Sequence, residues 1–140
     1  KVRGRDDLYL GFMEGYIKVT WRPTYDGDAE FLPKLARIKE HLAGIFFIPT
    51  KFRVYYSLLD LEPRPPLPDA QWNYVQGQAR RLGVRCVNLT GPLKEESRRL
   101  LPEGQLTFWK DDSHWNRNGM AVAARTIAAF WQENQDRSNQ

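Results

Sequence analysis

Cysteine is nearly absent from this sequence. Cys86 stands alone among 140 residues, which excludes an intrachain disulfide. It sits in an apolar stretch and reads as a buried strand residue. Histidine is almost as scarce, with only His41 and His114. One cysteine and two histidines are too few for a structural zinc site. No metal and no organic cofactor is expected. No run approaches the roughly 18 apolar residues of a membrane span, and no signal-peptide pattern opens the chain. An excess of one charge is also lacking. Against 17 acidic residues stand 21 basic ones, leaving +4, and pairs such as Arg80/Arg81 and Arg98/Arg99 are scattered. No nucleic-acid partner is therefore expected. What is present is the composition of an ordinary globular domain, 41% hydrophobic and 27% charged, long enough to bury a core. Residues 1–140 read as one domain. Because Lys1 rather than Met opens the chain, a processed chain or a fragment is expected.

Periodicity gives a coarse map. Residues 8–12 and 16–21 have β-like composition, and Pro23 with Asp26-Gly27-Asp28 marks a turn. Phe31, Leu32, Leu35, Ile38 and Leu42 recur at helical spacing. They predict a helix over 29–42, capped by Asp28 and ended by Gly44. Residues 44–49 and 84–89 are short continuous apolar runs, as in strands buried on both faces of a parallel sheet. Residues 53–59 read as either helix or strand. The four prolines between Glu62 and Pro68 require an irregular loop. Helices are expected over 69–82, 90–101 and 117–132, with a short extended segment at 105–109. The polar tail, 133–140, is expected to fray. This alternation predicts an α/β fold, a three-layer sandwich with a mostly parallel sheet and helices on both faces. In such sheets, ligands gather at the carboxyl ends of strands. There Thr50-Lys51, Thr90-Gly91 and Lys110 to His114 could converge.

The scarcity of histidine focuses the search for chemistry on Asp111-Asp112-Ser113-His114-Trp115-Asn116. A histidine can take a proton from a hydroxyl near neutral pH. It does so best when a carboxylate holds its other ring nitrogen. Asp112 and Asp111 precede His114 by two and three residues, and either can fold back onto the ring. Asn116 or Asn118 would cap the following helix and pin the loop. The competing reading is a polar turn in which Trp115 packs on the core and Asn116 is only a cap. Lys51 offers a charge at the strand-end cleft, for an acidic substrate or a carbonyl, or is a solvated loop residue. Tyr55, Tyr56, Trp109 and Trp115 can stack on sugar rings or pack in the core. His41 reads as a surface residue.

The stretch from Leu106 to Ala124 resembles the last block of SGNH (GDSL-like) hydrolases, where an Asp and a His lie on a loop before a helix. Trp115 after the histidine, then Asn116 and Gly119, resembles the branch of alginate-type O-acetyltransferases. Residues 45–55 resemble the Pro-x-Lys…Tyr segment of that branch, and Val84 to Thr90 its following strand. The resemblance covers roughly 30–132. It implies a flavodoxin-like sandwich of SGNH type, with His114 as general base. Asp112 matches the acid of the Asp-x-His-Trp form and Asp111 that of the Asp-x-x-His form, with Asp112 preferred. Lys51 and Trp115 fall at the substrate side. The family also needs a serine nucleophile, usually in Gly-Asp-Ser. None of Ser57, Ser97, Ser113 and Ser138 follows Gly-Asp, and Gly27-Asp28-Ala29 has alanine in that place. The implied protein is an esterase or O-acyltransferase acting on acetyl esters of carbohydrate in a bacterial periplasm or envelope. Its serine would lie outside these residues, leaving this chain inert by itself. The alternative is a non-catalytic module of the same fold that binds carbohydrate or a protein.

Overall fold

The computed structural model describes residues 1–27 and 31–138. Its elements, in chain order, are helix α1 (Glu14–Thr20), helix α2 (Phe31–Ile38), strand β1 (Ile45–Phe47) and helix α3 (Lys51–Tyr55). Helix α4 (Ala70–Leu82), strand β2 (Cys86–Asn88), helix α5 (Thr90–Leu100) and helix α6 (Arg117–Ser138) follow. The two strands pair in parallel, Ile45 opposite Cys86 and Phe47 opposite Asn88. Neighbouring strand residues face opposite sides. The Phe46 ring meets Phe130 of α6 at 5.2 Å, whereas Phe47 meets Trp72 of α4 at 5.7 Å. The neighbouring residues Phe46 and Phe47 thus contact different helices, α6 and α4.

The sheet itself is narrower than predicted. Among the described residues it has two strands, and 105–109 contributes only the bridge between Phe108 and Trp115. The result is an α/β arrangement with a small parallel sheet. Both strands are half-buried, where strands enclosed in a wide parallel sheet would be fully covered. Cys86 is half-buried as well, and burial pushes its thiol pKa up.

Three other readings change. The β-like 16–21 segment is helix α1. Glu14 and Lys18 pair across one turn at 2.6 Å, and the Thr20 hydroxyl donates back to the Tyr16 carbonyl at 2.6 Å. These local bonds suit a helix, and they override the β-propensity of Val19 and Thr20. Residues 8–12 form no regular element. Helix α6 runs past the predicted end at 132, to Ser138. Arg85 holds that turn by bonding Glu133 at 2.8 Å and the Asn134 side chain. The predicted Asp28 cap lies outside the described residues. Helix α2 ends at Ile38 in a short 3-10 turn over Lys39–His41, and His41 is exposed.

The ambiguous 53–59 segment is the centre of the molecule. Thr50 caps α3 by accepting from the Arg53 amide at 3.2 Å, and every residue of α3 is buried. Val54 and Tyr55 join Leu89, Leu93, Phe108 and Val122 in one core, which also takes Val2 and Leu8 from the amino-terminal segment. Helix α5, which follows β2, packs on α3. The Tyr55 hydroxyl lies 3.1 Å from the Thr107 hydroxyl, which in turn lies 2.6 Å from that of Ser97. This buried chain fixes the segment that leads into the His114 loop.

Candidate active site

The loop from Trp109 to His114 is closed at its base like a hairpin. Phe108 bridges Trp115, and the Trp109 amide donates to the His114 carbonyl at 3.1 Å. Asn116 then locks the exit. Its side-chain oxygen accepts from the amides of Asn118 and Gly119 at 2.9 and 3.2 Å, capping α6. Its side-chain nitrogen donates to the carbonyls of Leu106 and Phe108 at 2.7 and 3.2 Å. One asparagine thus ties the helix start to the strand-like segment before the loop. The fit is close: a Cβ on Gly119 would stand 2.2 Å from the Thr107 carbonyl oxygen. Sequence reasoning finds the cap but not this packing, which carries no local signature.

Within the loop, Asp112 and not Asp111 meets the histidine. One oxygen of Asp112 accepts from the His114 amide at 2.9 Å and lies 2.6 Å from His114 Nδ1. Against an ionised carboxylate the ring nitrogen must be the donor, so the neutral tautomer carries its proton on Nδ1. Nε2 is left with its lone pair and has no hydrogen-bond partner among the described residues. The bond from the His114 amide, followed by that from its ring, holds the Asp112 carboxyl below the usual carboxylate range. The pair is open to water, with the imidazole side chain 82% exposed. Asp111 lies beside Gly11, its Cα 3.4 Å from where a Gly11 Cβ would be.

Lys51 is neither solvated nor turned toward open space. It is 2% exposed. Its ammonium donates to the carbonyls of Gly11, Trp109, Lys110 and Asp112 at 2.8, 2.8, 2.6 and 3.1 Å. Burial lowers its pKa, and the nearby charges of Asp111 and Asp112 oppose that shift. Its ammonium thus engages the loop itself. Tyr55 and Tyr56 are also withdrawn from any sugar face. Both are buried, with hydroxyls bonded to Thr107 and to the Pro65 carbonyl. Trp109 is exposed.

A cleft of about 550 Å³ opens at the loop. His114, Ser113 and Trp115 form one wall. Ile48, Pro49, Thr50 and Lys51, just past the end of β1, form the other, with Tyr16, Phe108 and Met120 completing it. The predicted convergence at the strand ends thus holds for Thr50-Lys51 and the His114 loop. Thr90-Gly91 is not part of the cleft. Tyr16, Ile48 and Met120, which sequence reading does not single out, are exposed apolar groups on its rim. Among the described residues no cluster of side chains could hold a metal ion, and no helix is long and apolar enough to cross a membrane.

Residues 29–140 match the family described as the SGNH hydrolase-like domain of the acetyltransferase AlgX. An 81-residue stretch is 35% identical to a protein of Pseudomonas putida (strain KT2440) named probable alginate O-acetylase AlgJ. The stretch covers 58% of this chain and 20% of that relative, so the chain spans about a fifth of the relative's length. No solved structure matches.

Proposed function

The chain belongs to the SGNH hydrolase-like domain family of the acetyltransferase AlgX, and from that membership we propose that it supplies the acid–base half of an O-acyltransferase site acting on polysaccharide. The observation that carries this reading is the bond from His114 to Asp112, at the mouth of a cleft beside a parallel sheet. A serine hydroxyl from outside these residues attacks the carbonyl carbon of an acetyl ester. His114 Nε2 takes the hydroxyl proton, and Asp112 stabilises the resulting imidazolium. The acetyl group then sits on the serine oxygen, and the leaving hydroxyl takes the proton back from His114. A sugar hydroxyl or water repeats the sequence in reverse and releases the acyl group. Trp115 and the apolar rim offer a face for the acceptor sugar.

The placement of the serines supports an external nucleophile. Ser97 is fully buried against Thr107. Ser57 is remote from the cleft, lining a separate hollow with Arg64 and Pro65. Ser113 lies in the cleft but next to His114 in the same loop. We extend the two-stranded sheet, as part of the same proposal, to a three-layer sandwich of SGNH type in which further strands continue it. A periplasmic or envelope location with secreted polysaccharide is supported by the relative named probable alginate O-acetylase AlgJ. The test is acetyl-ester hydrolysis by the full-length gene product and by its His114→Ala form. The variant is expected to lose about 10³-fold or more, as when a triad base is removed. Equal rates would remove His114 from the mechanism and favour a binding module.

A further inference from the structure

The His114 loop has little apolar material of its own to hold its shape. Trp109, Lys110, Asp111, Asp112 and His114 are all exposed. Yet three of its carbonyls, those of Trp109, Lys110 and Asp112, point inward to one place. Carbonyl dipoles gathered in this way repel one another unless a donor lies between them. The group between them is the Lys51 ammonium, which also takes the Gly11 carbonyl and stands 5.3 Å from the centre of the Phe12 ring. Four acceptors around three protons leave no donor for a ligand. Lys51 comes from the first turn of α3, the most buried helix of the fold. It is therefore a rigid post around which an exposed loop is wrapped.

We infer that Lys51 is a positioning residue for the acyl-transfer site: it holds the curve of the Trp109–Asp112 backbone so that the Asp112 carboxylate meets His114 Nδ1. This role rests on the acyltransferase reading only for its effect on rate. The carbonyls that it fixes include that of Asp112 itself, two residues from the imidazole. Without the cation the carbonyls must turn outward to water, and the side chain of Asp112 turns with them. Arginine carries the same charge, but its planar fork does not converge on four carbonyls as an ammonium does.

The test compares the wild-type chain with Lys51→Met and Lys51→Arg, reading the His114 ring nitrogens by ¹⁵N NMR. In the wild type, Nδ1 carries the proton. In Lys51→Met the Nδ1–H state is expected to give way to a mixture of tautomers, while signals from the core around Tyr55 and Phe108 remain. Lys51→Arg should fall between the two. In the full-length gene product, kcat per folded molecule should drop about 10²-fold, the scale of a misplacement near 1 Å, with KM little changed. A folded Lys51→Met with wild-type ring signals overturns the inference. If Lys51→Met does not fold, the wild type decides. Lys51 ammonium protons in slow exchange with water support the inference, and exchange as fast as at a surface lysine overturns it. A wild type without acyl transfer whose ring signals still shift in Lys51→Met would retain the positioning role and refute the acyltransferase reading.

Discussion

Asp112 shows how two neighbouring carboxylates separate into different environments. Its side chain reaches back to both the amide and the ring of His114, whereas Asp111 lies against Gly11. Sequence left the pair open because a loop residue two or three positions before a histidine can fold back equally well. What decides between them is the direction of the backbone, and that is set by Lys51, 61 residues earlier than Asp112. The electrostatics carry a direct consequence. A carboxyl held below its ordinary value stays ionised in the folded protein after its unfolded counterpart has taken a proton. The stabilisation from this pair is thus present above the ordinary carboxylate pKa of about 3.9 and is lost as pH falls through the lower folded value. In a carboxyl ¹³C titration of the chain, the Asp112 midpoint should fall below the ordinary carboxylate value. A midpoint at or above the ordinary value would contradict the hydrogen bonding described here.

Among the elements, the helices with periodic apolar residues, α2 and α4 to α6, are legible in the sequence, whereas α1 and α3 are not. Helix α4 begins within a residue of its predicted start and ends at Gly83, whose φ of +69° suits glycine. Helix α1 was misread because its seven residues are held by side-chain contacts rather than by an apolar stripe. Helix α6 outran its prediction because Arg85, from the approach to β2, reaches its last turns. Such a tertiary contact leaves no trace in local composition. The junction of α6 with the loop is where element and site meet. Asn116→Ala would remove the cap and one donor to each of two carbonyls. A loss of about 2 kcal/mol is expected in urea unfolding. A change below about 0.5 kcal/mol would mean that the helix start is held by something else.

At the scale of the molecule, the sequence conveyed the α/β class, the parallel pairing and the gathering of Lys51 and the His114 loop at one end of the strands. It did not convey how narrow the sheet is. Residues 105–109 look strand-like because Leu106 and Phe108 are apolar, but Thr107 between them is spent on the buried chain from Tyr55 to Ser97. Nor did it convey the role of Lys51, since a lysine after a strand reads the same whether it faces water or a ring of carbonyls. The resulting architecture holds the bonded Asp112–His114 pair on a rigid core beside a cleft, and the proposal divides the work between them, His114 as base and Asp112 as orienting acid.

That division of labour is the central claim, and a double-mutant cycle on the full-length gene product tests it most directly. Acetyl transfer would be measured for Asp112→Asn, His114→Ala and the double variant, with Asp111→Asn as control. If Asp112 acts only through His114, Asp112→Asn loses about 10³-fold, the control keeps nearly full activity, and the double variant is no slower than His114→Ala alone. Losses that multiply in the double variant, or a control as damaged as Asp112→Asn, would contradict the account.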